Sequence, residues 1–109
     1  MEFKINNKIY EIKEVSQKEL QEKQGDINGT YFGLTIPSKQ EIWLWEDLKR
    51  EQKRQTLLHE LLHCYVMNYI SLNDCDFDED MWADISANSH DLIHKIADDY
   101  FRKEVEKDE

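Results

Sequence analysis

The chain has 109 residues, 39% of them hydrophobic, and 24 acidic against 14 basic side chains leave it a net charge of -10 at neutral pH. That length holds one core and one domain, residues 1–109, with too little apolar material for a second. A negative surplus of this size repels phosphate backbones and anionic lipid, so neither nucleic acid nor a membrane surface is an expected partner.

The first ten residues interleave Glu2, Lys4 and Lys8 with single apolar residues, so no secretory signal is expected, and no run is long enough to span a bilayer. Phe3, Ile5, Ile9, Ile12 and Val15 fall among polar residues on either side of Asn6-Asn7, which predicts a short hairpin. Ser16, with Glu19 three residues on, forms a capping box that opens a brief helix reaching about Lys23. Gly25, Asp26, Asn28, Gly29 and Gly33 then mark turns. Residues 31–36 and 41–45 read as two strands joined around Pro37-Ser38-Lys39-Gln40. A long helix begins between Asp47 and Glu51 and ends near Ile70; a final one covers 78–105, with Trp82, Ile85, Leu92, Ile93, Ile96 and Tyr100 on one face. Strands first and two long helices after predict an α+β domain, a small antiparallel sheet packed against those helices. The basic cluster Lys49, Arg50, Lys53 and Arg54, interrupted by Glu51, reads as a solvated first helical turn, slightly opposed to the macrodipole.

His59-Glu60-Leu61-Leu62-His63 lies within the first long helix. Leu57, Leu58, Leu61, Leu62, Tyr65, Val66 and Tyr69 recur at three- and four-residue steps around it, so the motif sits on a regular amphipathic element. Two imidazoles four residues apart on a helix point the same way and can share one zinc ion, with the glutamate between them beside a water. Zinc in hydrolytic sites takes three protein ligands and keeps a position for water, whose pKa it lowers towards about 7. Glu60 is the candidate catalytic base: it can take a proton from that water and return it to a leaving amine.

Two ligands are thus His59 and His63, and the third is ambiguous. Asp74, Asp76, Asp78, Glu79 and Asp80 crowd into seven residues at the mouth of the last helix. Glu79 borders the buried face one turn before Trp82 and Ala83 and has the longer reach; Asp80 points away but has Asp84 one turn on, able to orient a histidine ligand. Glu79 is taken ahead of Asp80. Asp76 and Asp78 are accounted for by capping and the helix dipole. Asp74, Asp76 and Asp78 also space like a calcium loop, but Glu79 replaces the turn glycine and Ile85 the closing glutamate, which removes that reading. His90 and His94 are a further four-residue pair, His90 being a weaker candidate for third ligand. Cys64 points about 100° around the helix from His63 and reads as a packed residue. Cys75 is a minor ligand candidate. Two cysteines are too few for a disulfide framework, so a reduced, cytoplasmic protein is expected.

Trp43, Trp45, Tyr31 and Tyr65 are candidates for the border of a peptide cleft, against a competing role in the core. If residues 41–45 form a sheet edge, their free main-chain groups can hold an extended substrate.

Thr56-Leu57-Leu58-His59-Glu60-Leu61-Leu62-His63, preceded by a strand and followed by an acid-led helix with Ala83, Asp84 and Ala87, resembles the small gluzincin-like metallopeptidases of bacteria and phages, the ImmA/IrrE-like group. The resemblance spans roughly residues 40–97. It implies a minimal zincin-like fold, Zn²⁺, a strand beside the active-site helix and a carboxylate ligand from the next helix in an E-x-x-A-N-like setting. Asp80-Met81-Trp82-Ala83-Asp84 matches that spacing, and Glu79 matches its residue type one position early. The expectation is a zinc metallopeptidase acting on a protein or peptide. The alternative is a non-catalytic, metal-stabilised module that binds a basic partner through its acidic surface. A DNA-associated zincin using His90 is disfavoured by the charge.

Overall fold

A computed structural model describes the backbone of residues 1–69 and 79–107, and the side chains of residues 1–69 and 83–103 within it. The elements follow as β1 (Glu2–Ile5), β2 (Lys8–Val15), α1 (Gln17–Gln24), β3 (Gly33–Ile36), β4 (Glu41–Trp45), α2 (Arg50–Tyr69) and α3 (Glu79–Lys107). This is the α+β order read from the sequence, one sheet and three helices among the described residues.

Asn6 and Asn7 reverse the chain between β1 and β2 with φ of 47° and 63°, a left-handed conformation that asparagine enters more readily than most residues. Pairing sets Phe3 against Tyr10, their rings 5.6 Å apart, so the buried alternation runs through Tyr10 and Ile12 while Ile9 lies on the other face, 57% exposed. The hairpin tip docks on the end of α2. The Asn6 side-chain amide donates to the Asn68 carbonyl at 2.6 Å, and the Asn6 main-chain N–H donates to the Tyr69 hydroxyl at 2.9 Å.

The predicted capping box opens α1: the Glu19 N–H donates to the Ser16 hydroxyl, and the Ser16 N–H to the Glu19 carboxylate. Gly25 closes it at φ 73°, the left-handed position that favours glycine. From there the chain returns as the β3–β4 hairpin, and it is β4, the second strand of that hairpin, that joins β2. The sheet order is β1-β2-β4-β3. Because β2 and β4 run parallel, with Ile12 beside Ile42 and Val15 beside Trp45, the sheet is mixed rather than wholly antiparallel. β4 is therefore paired on both sides and cannot be the edge considered above; the edge beside α2 is β3.

The inward face of the sheet meets α2 and α3. Phe3, Ile5, Tyr10, Ile12, Ile42 and Leu44 pack against Leu57, Leu61 and Cys64 of α2 and Ile93, Ile96, Ala97, Tyr100 and Phe101 of α3. The basic cluster is drawn into this assembly. Lys53 pairs with Glu14, Arg54 with Asp98 at 2.7 Å, and the Arg50 guanidinium lies over the Phe101 ring. No helix among the described residues is long and apolar enough to cross a membrane.

Candidate functional site

The period of α2 divides the motif between two environments. Leu57, Leu61 and Cys64 are fully buried beneath the sheet, which turns His59 and His63 out towards solvent and leaves Glu60 between, 8% exposed. The two histidine Nε2 atoms lie 3.0 Å apart, their rings at 80° to one another. Zinc–nitrogen bonds of about 2.0–2.1 Å at a tetrahedral angle place two ligand nitrogens about 3.3–3.4 Å apart. The two nitrogens, now at hydrogen-bond distance from one another, would have to part by a few tenths of an ångström to share such a cation.

Glu60 is held by a strand 25 positions earlier. The Thr35 hydroxyl donates to Glu60 Oε2 at 2.6 Å, and its oxygen lies 3.3 Å from the main-chain carbonyl of the same glutamate. Pairing of Gly33 with Leu44 and of Thr35 with Ile42 puts both β3 residues on the inward face, against α2. Gly33 permits the close approach. A Cβ at this position would stand 2.7 Å from Thr56 Cγ2 and 3.0 Å from the Trp43 carbonyl oxygen. Gly33→Ala is accordingly expected to cost about 1–3 kcal/mol by overpacking, read in denaturant unfolding. The double variant with Thr56→Ser, which removes the offending methyl, should recover part of that loss.

Two cavities open on either side of this contact. The larger, 420 Å³, is bordered by Tyr31, Phe32, Gly33, Thr56, His59 and Glu60. The smaller, 290 Å³, is bordered by Gln24, Leu34, Thr35, His63 and Met67 and shares Gly33 and Glu60 with the first. Of the four aromatic residues considered for a cleft, Tyr31 borders it. Trp43 and Trp45 alternate with the core-facing Ile42 and Leu44 and are half-buried on the opposite face of the sheet, while Tyr65 packs against the core.

Cys64 is a packed residue, as its helical position predicts. Burial, reinforced by the nearby Glu60 charge, pushes its thiol up to about 12. Among the described residues no group of three or more His, Cys, Asp or Glu side chains gathers as a metal site. His90 is accordingly not brought to His59 and His63; it stacks with His94, centroids 4.0 Å apart, and its Nδ1 lies 3.3 Å from Asp91. The side chains of Glu79 and Asp80 lie outside the described residues, as do Asp74, Cys75, Asp76 and Asp78, although the backbone of α3 begins at Glu79.

Gly33, Thr35, Phe32 and Met67 complete the site and were not singled out for it from the sequence. A glycine inside a strand pattern is a recognised sign of close backbone approach, and Thr35 shares its face two residues on. Compared with protein-family models, curated proteins and solved structures, the chain matches none.

Proposed function

We propose that this chain is a zinc-dependent peptide hydrolase of the minimal zincin kind, similar to the ImmA/IrrE-like group, with His59, His63 and a carboxylate from the start of α3, Glu79 ahead of Asp80, as metal ligands. The observation that carries the reading is the convergence of the two Nε2 atoms to 3.0 Å beside a glutamate that a strand hydroxyl holds in place.

Zinc at that position would supply Lewis acidity, making a water more acidic and polarising a carbonyl. Glu60 accepts the water proton and returns it to the leaving nitrogen. Thr35, by occupying Oε2, orients the carboxylate; Oε1 has no hydrogen-bond partner among the described residues and is the oxygen free to move the proton. β3 pairs with β4 along one side, and its other side, unpaired among the described residues, offers main-chain groups along which an extended peptide can lie. The net charge of -10 favours neutral or basic substrates over acidic ones.

Metal analysis of purified protein, followed by a peptide-cleavage screen with and without chelator, tests the proposal. One zinc per chain, chelator-sensitive cleavage, and loss of both in His59→Ala and His63→Ala are the expected results. Zinc at one per chain without turnover would instead favour a metal-stabilised binding module, and protein that refuses micromolar zinc would end the hydrolase reading.

A further inference from the structure

The turn that follows α1 carries an asparagine–glycine pair, Asn28-Gly29, with Asn28 exposed. Asparagine is least shielded from its own backbone when glycine follows, because no Cβ hinders the approach of the next main-chain nitrogen to the side-chain carbonyl carbon. In that reaction the Gly29 nitrogen gives up its hydrogen and bonds to Asn28 Cγ. The bond from Cγ to the side-chain nitrogen breaks, and ammonia leaves with that hydrogen. Water then opens the five-membered imide at either carbonyl, leaving aspartate or isoaspartate; no electrons are gained or lost, and water is the one co-reactant.

The turn itself calls for the glycine. A Cβ at residue 29 would stand 2.7 Å from the Tyr31 hydroxyl oxygen and 2.8 Å from Asp26 Oδ2. Those two oxygens are bonded to one another at 2.9 Å, so a larger residue would have to prise them apart. The packing that closes the turn therefore brings the reactive pair with it.

The same packing restrains the reaction. Asp26 Oδ1 accepts the Asn28 N–H at 3.0 Å, and Oδ2 accepts the Tyr31 hydroxyl. The Asn28 N–H, the Tyr31 hydroxyl and, to a smaller extent, the Gly29 N–H hold the Asp26 carboxyl below its usual range. A carboxylate beside the Gly29 nitrogen disfavours the negative charge that nitrogen must acquire to attack. So weak a base is also poorly suited to remove the hydrogen itself. On the far side, the Gln21 amide donates to the Gly29 carbonyl at 2.8 Å. Gln17 then grips Tyr31 both ways, its amide donating to the carbonyl at 2.8 Å and its oxygen accepting the N–H at 2.7 Å. The peptide between Asn28 and Gly29 is thus bracketed by bonds before and after it, and each resists the rotation that would carry the nitrogen onto Cγ.

We propose that Asn28-Gly29 is a latent modification site, able to convert itself to aspartate and isoaspartate, and that the Asp26 carboxylate guards it while the turn is closed. The rate of conversion then reports how often this turn opens. Isoaspartate adds a carbon to the main chain shortly before Tyr31, a residue that borders the larger cavity beside His59, so the modification reaches the wall of the cleft.

The test is incubation of the full chain at mildly alkaline pH, native and in denaturant, with conversion at residue 28 followed by peptide mapping and isoaspartate-specific methylation. The native chain should convert about tenfold or more slowly than the denatured one, as expected for a reaction that waits on local opening. Asp26→Ala, with folding checked by circular dichroism, should convert in the folded state about fivefold or more faster than the native chain, having lost the charge beside the nitrogen. Should Asp26→Ala fail to fold, Gln21→Ala frees the other side of the pair and should also raise the rate. Equal rates for native and denatured chain would overturn the proposal, as would a native chain that converts faster than the denatured one, since Asp26 would then act as a base. A folded Asp26→Ala that converts no faster than the native chain would remove Asp26 as the guard.

Discussion

Glu60→Gln is expected to lower peptide cleavage by about two to four orders of magnitude while zinc content and thermal stability stay near those of the native chain. The substitution isolates the proton. Glutamine has the shape of glutamate and its amide oxygen can still accept the Thr35 hydroxyl now bound to Oε2 at 2.6 Å, so the contact between β3 and α2 survives. What is lost is a carboxylate able to take up a proton. Glu60→Ala is a less selective change, since it also removes the shorter of the two Thr35 hydroxyl contacts and leaves only the 3.3 Å one to the main-chain carbonyl, which adds a stability cost to the kinetic one. Rates for both variants, set beside metal analysis and unfolding curves, separate these effects. Full activity in Glu60→Gln would remove the residue from the mechanism.

Leu61→Ala, one residue further on, should instead destroy stability first. Leu61 is fully buried in the cluster that joins the sheet to both long helices. Truncation of such a residue costs about 2–5 kcal/mol, against a total of roughly 5–15 kcal/mol for a domain. At about 4–8 °C per kcal/mol for a chain of this size, the melting temperature falls far enough to be seen in any thermal scan. Leu62→Ala, in a partly buried position, should cost clearly less. Saturating zinc should raise the melting temperature of Leu61→Ala, because a ligand that binds only the folded chain stabilises it by mass action, and the same rise should be absent when His59 is also replaced. Equal losses for the two leucines would mean that Leu61 does not anchor the motif.

The contrast between these neighbouring residues shows what could be read before folding. α2 was legible because its signal is local: leucines at helical spacing assign Leu57 and Leu61 inward and turn His59 and His63 outward without reference to anything else. The same holds for α1, where Ser16 and Glu19 carry the start and Gly25 the stop within ten residues. Pairing across the chain was not legible. Nothing in residues 41–45 distinguishes an edge from an interior strand; that is decided by the parallel pairing of β4 with β2, about thirty positions apart, and it moved the edge to β3. Thr35 escaped notice for the same reason, since its worth lies wholly in a contact with Glu60 across the strand–helix gap. The basic cluster was read as solvated because pairing of Lys53 with Glu14 and of Arg54 with Asp98 depends on which faces α2 presents to β2 and α3.

Asn6 makes the β1–β2 reversal and also grips the main chain of Asn68, so the hairpin tip works as a brace on the far end of α2. Helix ends unwind from their last turn inward, and here that turn is tethered to a strand rather than left to its own hydrogen bonds. One side of the cleft is thereby braced by a residue more than sixty positions earlier in the chain, and slack introduced at that surface turn would be felt at His63.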